Sequence, residues 1–214
     1  MDFAIALIAV AFGWLLSQLT EVSKNFRAGY IYKKDLLLEL EDIEKQLERT
    51  VLILSRHLQF YSHRSIEPAS FRAIPNTYFS EYFHSAFRHL NREQRISFQM
   101  IHSAVDDLNE KSKKIESFIE KSIEEYVGAI TIARTNELVE IYGSMITAAY
   151  KTAQVARWHI HYHRENSAAP TLDILGEQHK NYLKFVQSLQ QQIDEIVIKA
   201  KDFSLDDLKK GYYS

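Results

Sequence analysis

Apolar residues are arranged along this chain in two unlike ways. Phe3 to Leu16 form one uninterrupted apolar run, and Ser17, Gln18 and Leu19 follow before the charge at Glu21. Beyond it, apolar positions recur every three or four residues among charged ones, the pattern of helices buried along one stripe.

Three structures compete for the opening run. As a spanning helix, Phe3–Thr20 is roughly 27 Å long, just enough for a hydrocarbon core of about 30 Å. A cleaved signal peptide needs a basic leading region and a small-x-small site. Only Met1 and Asp2 precede the run, and no such site follows it. A buried core helix suits the length, but the segment is apolar on every face. The sequence therefore predicts a transmembrane anchor over residues 1–20, with 21–32 as a juxtamembrane linker or a continuation of the helix. Lys24, Arg27, Lys33 and Lys34 follow the run and no basic residue precedes it. The positive-inside rule then puts the N-terminus outside and the body in the cytoplasm, a single pass through the cytoplasmic membrane. The lack of cysteine agrees with a reducing compartment. Ala6, Ala9, Gly13 and Ser17 share one face of the run, and small residues on one face let helices pack closely in lipid. Trp14 suits the cytoplasmic headgroup level.

The body reads as all-α. A first seam, Leu36, Leu40, Ile43, Leu47, Leu54 and Tyr61 with Thr50 and His57 in the gaps, predicts a helix from about Lys33 to His63. Pro68 and Pro75 bracket a connection, and a short aromatic helix carries Tyr78, Phe79, Tyr82, Phe83 and Phe87. A long helix from Arg92 to Val127 follows, with Ile101, Val105, Leu108, Ile115 and Ile119 on one face. This seam fails at Asn136 and a new one starts at Leu138, Ile141 and Met145, which predicts a turn or kink within Gly128–Asn136. The next helix runs to about His163 and has a small face at Ala148, Ala149, Ala153 and Ala156. Asn166–Pro170 is a loop. The last long helix, about Thr171 to Phe203, carries Leu172, Leu175, His179, Tyr182, Val186, Leu189, Ile193, Ile196 and Ala200. Ser204 can cap a short terminal helix through the Asp207 amide.

Helices this long, with short connections, predict an elongated antiparallel four-helix bundle with coiled-coil-like packing over 33–203, and a terminal helix and tail over 204–214. An up-down path would gather His57–Pro75, Tyr78–Arg95 and Trp158–Pro170 at the pole far from the membrane. It would leave Gly128–Asn136 and Lys209–Ser214 near the bilayer.

That far pole is compositionally distinct. No lysine occurs between Lys45 and Lys111, whereas arginines, histidines and aromatics are dense there. Arginine suits carboxylate and phosphate, and arginine with aromatics is enriched at protein interfaces. The candidate docking residues for a partner or anionic ligand are Arg64, Arg72, Arg88, Arg92, Arg95, Tyr82, Phe83, Trp158, His161 and Arg164. The competing reading is a bundle end whose aromatics plug the core and whose arginines cap carboxylates.

Metal and catalytic chemistry find little support. On a helix His159, His161 and His163 step by about 200° each and cannot converge. Glu81-x-x-His84 is half of a di-iron motif without its second half. Nucleophile elbow, phosphate-cradling loop and dinucleotide fingerprint are absent. The chain's 26 basic and 28 acidic residues argue against nucleic acid as a partner. The expectation is a non-enzymatic protein without cofactor or bound metal, in contact with membrane lipid and with a protein partner, a second copy, or both. Recruitment of a cytoplasmic partner leads, an oligomerising membrane effector of the pore-forming kind comes next, and a ligand sensor at the His/Arg cluster comes third.

Overall fold

The computed structural model describes residues 2–69, 71–128, 131–171, 173 and 176–210, with side chains from Val10 onward. Among them every regular element is helical: α1 (Asp2–Ser62), α2 (Thr77–Ala86), a 3-10 turn at Phe87–His89, α3 (Arg92–Val127), α4 (Ile132–Glu165), α5 (Glu177–Ala200) and α6 (Leu205–Lys210).

α1 is a continuous helix of 61 residues, about 90 Å long. Gly29 does not interrupt it. It lies where the His89 ring crosses the helix, and a Cβ there would sit 2.2 Å from that ring. From Tyr32 onward α1 packs into the body, and Leu36, Leu40, Ile43, Leu47, Leu54, Thr50 and His57 are all buried, as the seam predicts. Before Ala28 the described side chains, residues 10–27, are all exposed. Among the described residues no helix is long and apolar enough to cross a membrane, so the predicted anchor is not reproduced as a span. The first half of the apolar run, with Ala6 and Ala9, has side chains outside the described residues.

α1 stops at Ser62, well before Pro68. Arg64 is left-handed (φ 54°). The Arg64 amide donates to the Tyr61 carbonyl and the Ser65 amide to that of Phe60, which satisfies the last carbonyls of the helix.

The connection then departs from the up-down path. Extended chain covers about 3.3 Å per residue against about 1.5 Å in helix, so Ser65–Asn76 spans as much length as α1 between Ser62 and Glu39. It runs back along the body. The Glu67 carboxylate accepts from Arg56 Nε at 3.1 Å, the Phe71 carbonyl accepts from Ser112 Oγ at 3.0 Å, and Asn109 brackets Ile74 with two 2.8 Å bonds. Phe71 and Ile74 are buried beneath it. α2 therefore starts beside Glu39, whose carboxylate accepts from the Tyr78 and Phe79 amides at 2.8 and 2.9 Å.

α3 begins at a capping box in which Asn91 and Gln94 bond each other's backbone amides. It runs parallel to α1, not against it, from His102 beside Glu39 to Ile119 and Ser122 beside Ile66. The chain breaks after Val127 as the seam failure predicts, and Thr131 caps α4. α4 is antiparallel to α1, with Tyr142 beside His57 and Arg157 on Glu48. Its buried seam is Leu138, Val139, Tyr142, Ile146, Ala149, Ala153 and Ala156, while Ile141 and Ala148 face outward. α5 runs parallel to α1, from Tyr182 against Trp158 to the Ala200 carbonyl, 3.0 Å from His63 Nε2. It starts after Gly176, later than predicted, and buries only Leu189, Ile193 and Ala200. Val186 is more exposed than its seam position implies, and Leu172 and Leu175 lie outside the described residues. Ser204 caps α6 through the Asp207 amide at 3.1 Å.

The end of α1 stays at the far end, as the sequence predicts, but residues 78–95 and the end of α4 lie at the near end and the Gly128–Asn136 break and α6 at the far end, the reverse of the expectation. The near end, where residues 10–27 project, holds α2, the 3-10 turn, the start of α3 and the end of α4. The far end holds the end of α1, the Gly128–Asn136 break, the end of α5 and α6. Of the tail, Gly211–Ser214 lie outside the described residues.

Candidate functional site

The ten candidate docking residues do not form one surface. Arg64 is at the far end, 3.4 Å from Glu140 and 3.1 Å from the Asn136 side-chain oxygen. Arg72 is exposed on the returning connection. Tyr82, Phe83, Arg88, Arg92 and Arg95 are at the near end, and Trp158, His161 and Arg164 are on the near half of α4.

Several of them serve packing. Phe83 lies 4.4 Å from Phe79 and 6.5 Å from Phe98, ring centre to centre, and Tyr82 stacks on Tyr32 and Tyr78. Trp158 is enclosed by Tyr162, Tyr182 and Phe185 under α5. Arg164 straps α4 to α1 through Glu41, at 3.1 Å, and Glu44. His161 pairs with Glu165 in the open. Arg88 and Arg92 stay exposed without an ion pair among the described residues, and Arg95 covers the Phe87 ring at 4.3 Å. Gly13 and Ser17 are exposed on the projecting helix, with nothing within 4 Å of a Cβ at Gly13.

Helical geometry separates the histidine triplet as expected. His159 and His163 point inward and His161 outward. No group of three or more histidine, aspartate or glutamate side chains is arranged to hold a metal among the described residues. Glu81 and His84 are both exposed.

The sequence seams understate one feature, a set of histidines inside the core. His57, His102, His159 and His163 are all at most 5 % exposed. His57 Nδ1 shares a 2.5 Å hydrogen bond with the Tyr142 hydroxyl, which accepts from the Glu67 amide. His102 lies flat on Phe79, ring centres 3.7 Å apart, and neither ring nitrogen has a hydrogen-bond partner among the described residues. Its Nε2 is 3.7 Å from the Glu39 carboxylate. His163 Nδ1 is 2.8 Å from Ser97 Oγ. His159 sits between Trp158 and Tyr182.

Burial disfavours the imidazolium in each case. It pushes His57 down to about 4, helped by the Arg56 guanidinium and opposed by the Ala69 carbonyl. Burial and the neighbouring His163 bring His102 to about 3. Burial takes His159 to about 4, and burial with nearby Lys33 does the same for His163. Burial raises Glu39 against the two amides that hold it. Histidine at a seam position, as at His57, is the signal by which such groups are found. His102 lies one place beyond the α3 seam and gives none.

The far end has an apolar groove. A cavity of about 420 Å³ opens between the end of α3, the start of α4 and the start of the connection, lined by Ile66, Pro68, Ile119, Tyr126, Leu138 and Val139, with Arg64 at its edge. Tyr126, Val127 and Ile132 beside it are largely exposed. The near end has a polar crevice of about 450 Å³ between the projecting helix and the turn at 84–89. Comparison with known protein families, curated proteins and solved structures gives no match to this chain.

Proposed function

We propose that this chain is a single-pass membrane-anchored helical interaction protein, its body held at the cytoplasmic face, where it recruits a partner or serves as a subunit of a membrane complex. One observation carries the reading. Val10, Phe12, Trp14, Leu15, Leu16, Leu19, Val22 and Phe26 are 50–75 % exposed around the projecting part of α1. A contiguous apolar surface of this kind requires lipid or another protein as cover. With the apolar residues that precede it in sequence, the helix reaches a bilayer-spanning length.

In this orientation the far end faces the cytoplasm, and its apolar groove is the surface offered to a partner. The open face at Gly13 and Ser17 supports a second reading, in which anchors associate through their small residues to form a membrane effector. The bundle binds rather than catalyses in both.

Carbonate extraction and flotation of native membranes test the anchor: the chain is expected to float with lipid, and release into the supernatant defeats the proposal. Tyr126→Glu with Val127→Glu should abolish pull-down of the recruited partner and leave flotation intact. Crosslinking in membranes separates the readings. Recruitment tolerates a monomer, whereas the effector requires multimers that Gly13→Leu removes.

A further inference from the structure

The arginine-rich segment that the sequence placed far from the membrane folds back onto the base of the projecting helix. Arg88 lines one crevice with Asn25, Ala28, Tyr32 and His89. Asn25 is five residues beyond Thr20, about 8 Å further along the helix. Headgroups extend about 5–8 Å beyond each side of the hydrocarbon core. If the apolar run ends at the core boundary, Arg88 stands at headgroup depth.

Charge on this surface is in excess and unspent. Within residues 19–30 and 79–95 the acidic side chains are Glu21, Glu81 and Glu93, against Lys24, Arg27, Arg88, Arg92 and Arg95 and the two histidines His84 and His89. None of these lysines and arginines forms an ion pair among the described residues. Elsewhere Arg56, Arg64, Arg134, Arg157 and Arg164 are paired with glutamates, and only Arg49 and Arg72 have no ion pair among the described residues. Arginines held apart from carboxylates, beside an apolar helix and on its flank, match an anionic surface lying across the helix axis.

We propose that the near end, through Lys24, Arg27, Arg88 and Arg92, seats directly on anionic phospholipid headgroups. The anchor then does more than tether. It sets the body down on the bilayer and turns the apolar groove outward. This rests on the membrane-anchored reading, and it adds a lipid preference that a bare tether would not have.

The chain has no cysteine, so Ser85→Cys supplies a unique thiol on the rim of the crevice. The full-length protein carrying a fluorophore there is reconstituted into phosphatidylcholine vesicles with and without phosphatidylserine, each containing a headgroup nitroxide lipid as quencher. Flotation with both vesicle types verifies the tether. The expected result is fluorescence at least about twofold lower in the phosphatidylserine vesicles, reversed by high salt and by Arg88→Glu with Arg92→Glu without release from the vesicles. Flotation with both vesicle types but equal fluorescence overturns the headgroup seat and leaves the tether standing. Flotation with neither removes the tether and this inference together. Inorganic phosphate at matched ionic strength should change nothing; if it releases the quenching, the crevice takes a free phosphate and the headgroup assignment falls.

Discussion

Acidification should unfold the body at a pH where exposed histidines would merely gain charge. The perturbation is a drop from pH 7 to pH 5. His57, His102, His159 and His163 titrate near 4, 3, 4 and 4 in the folded chain, against 6.5 when unfolded. A folded pKa below the unfolded one means that stability is fully present above about pH 6.5 and is lost as pH falls toward the folded value. Each group then costs about 2 kcal/mol over this interval, and the set about 7 kcal/mol. Typical domain stabilities are about 5–15 kcal/mol, so the loss is comparable to the whole. Glu39, raised by burial, has the opposite sign and offsets part of the loss only once the pH approaches the carboxylate range. The assay is urea unfolding of the detergent-solubilised chain, followed by far-ultraviolet circular dichroism between pH 7.5 and 4.5. His102→Phe keeps the ring on Phe79 and removes two buried nitrogens without hydrogen-bond partners among the described residues. It should equal or exceed the parent at pH 7 and exceed it by about 2 kcal/mol more at pH 5. Parallel loss in parent and variant, or unfolding free energy flat from pH 7 to 5, would show that the buried histidines do not set the acid limit of the fold.

Other expectations are structural. Gly143→Ala places a Cβ 2.3 Å from the Tyr61 ring. Overpacking should outweigh the helix-propensity gain and lower stability by about 1–2 kcal/mol, read by urea titration. Arg64→Gly relieves the left-handed backbone at the end of α1 at the expense of an exposed ion pair. It should raise stability by about 0.5 kcal/mol, and a clear loss would contradict the cap. Glu39→Ala removes the acceptor for two amides of α2. It should cost about 2 kcal/mol and speed hydrogen exchange in residues 77–86, with α4 unaffected.

The helices were legible because their seams are strict. The buried faces of α1 and α3, the break after Val127 and the Ser204 cap follow from spacing and propensity alone. Their arrangement was not legible. Pro68 and Pro75 mark a connection, but nothing in its residues says whether it turns at the pole or runs back, because an extended chain covers about twice the length per residue of a helix. That one choice reverses α3 relative to α1 and carries Arg88 and Arg92 from the far end to the near end. It also explains why the candidate docking set divides: Arg164, Trp158 and Phe83 are consumed by packing, and Arg64 is left at the rim of the apolar groove. Apolar positions such as Tyr126 and Val127 resemble core in sequence, and they become surface only because the chain ends α3 there.

In the proposed topology lipid covers the projecting helix, and Trp14 reports on that cover. The chain has two tryptophans, so Trp158→Phe leaves Trp14 alone, 63 % exposed on that helix. In vesicles of brominated phosphatidylcholine its fluorescence should be strongly quenched relative to unbrominated lipid. Equal emission in the two lipids, with a spectrum unshifted from that in water, would contradict the account.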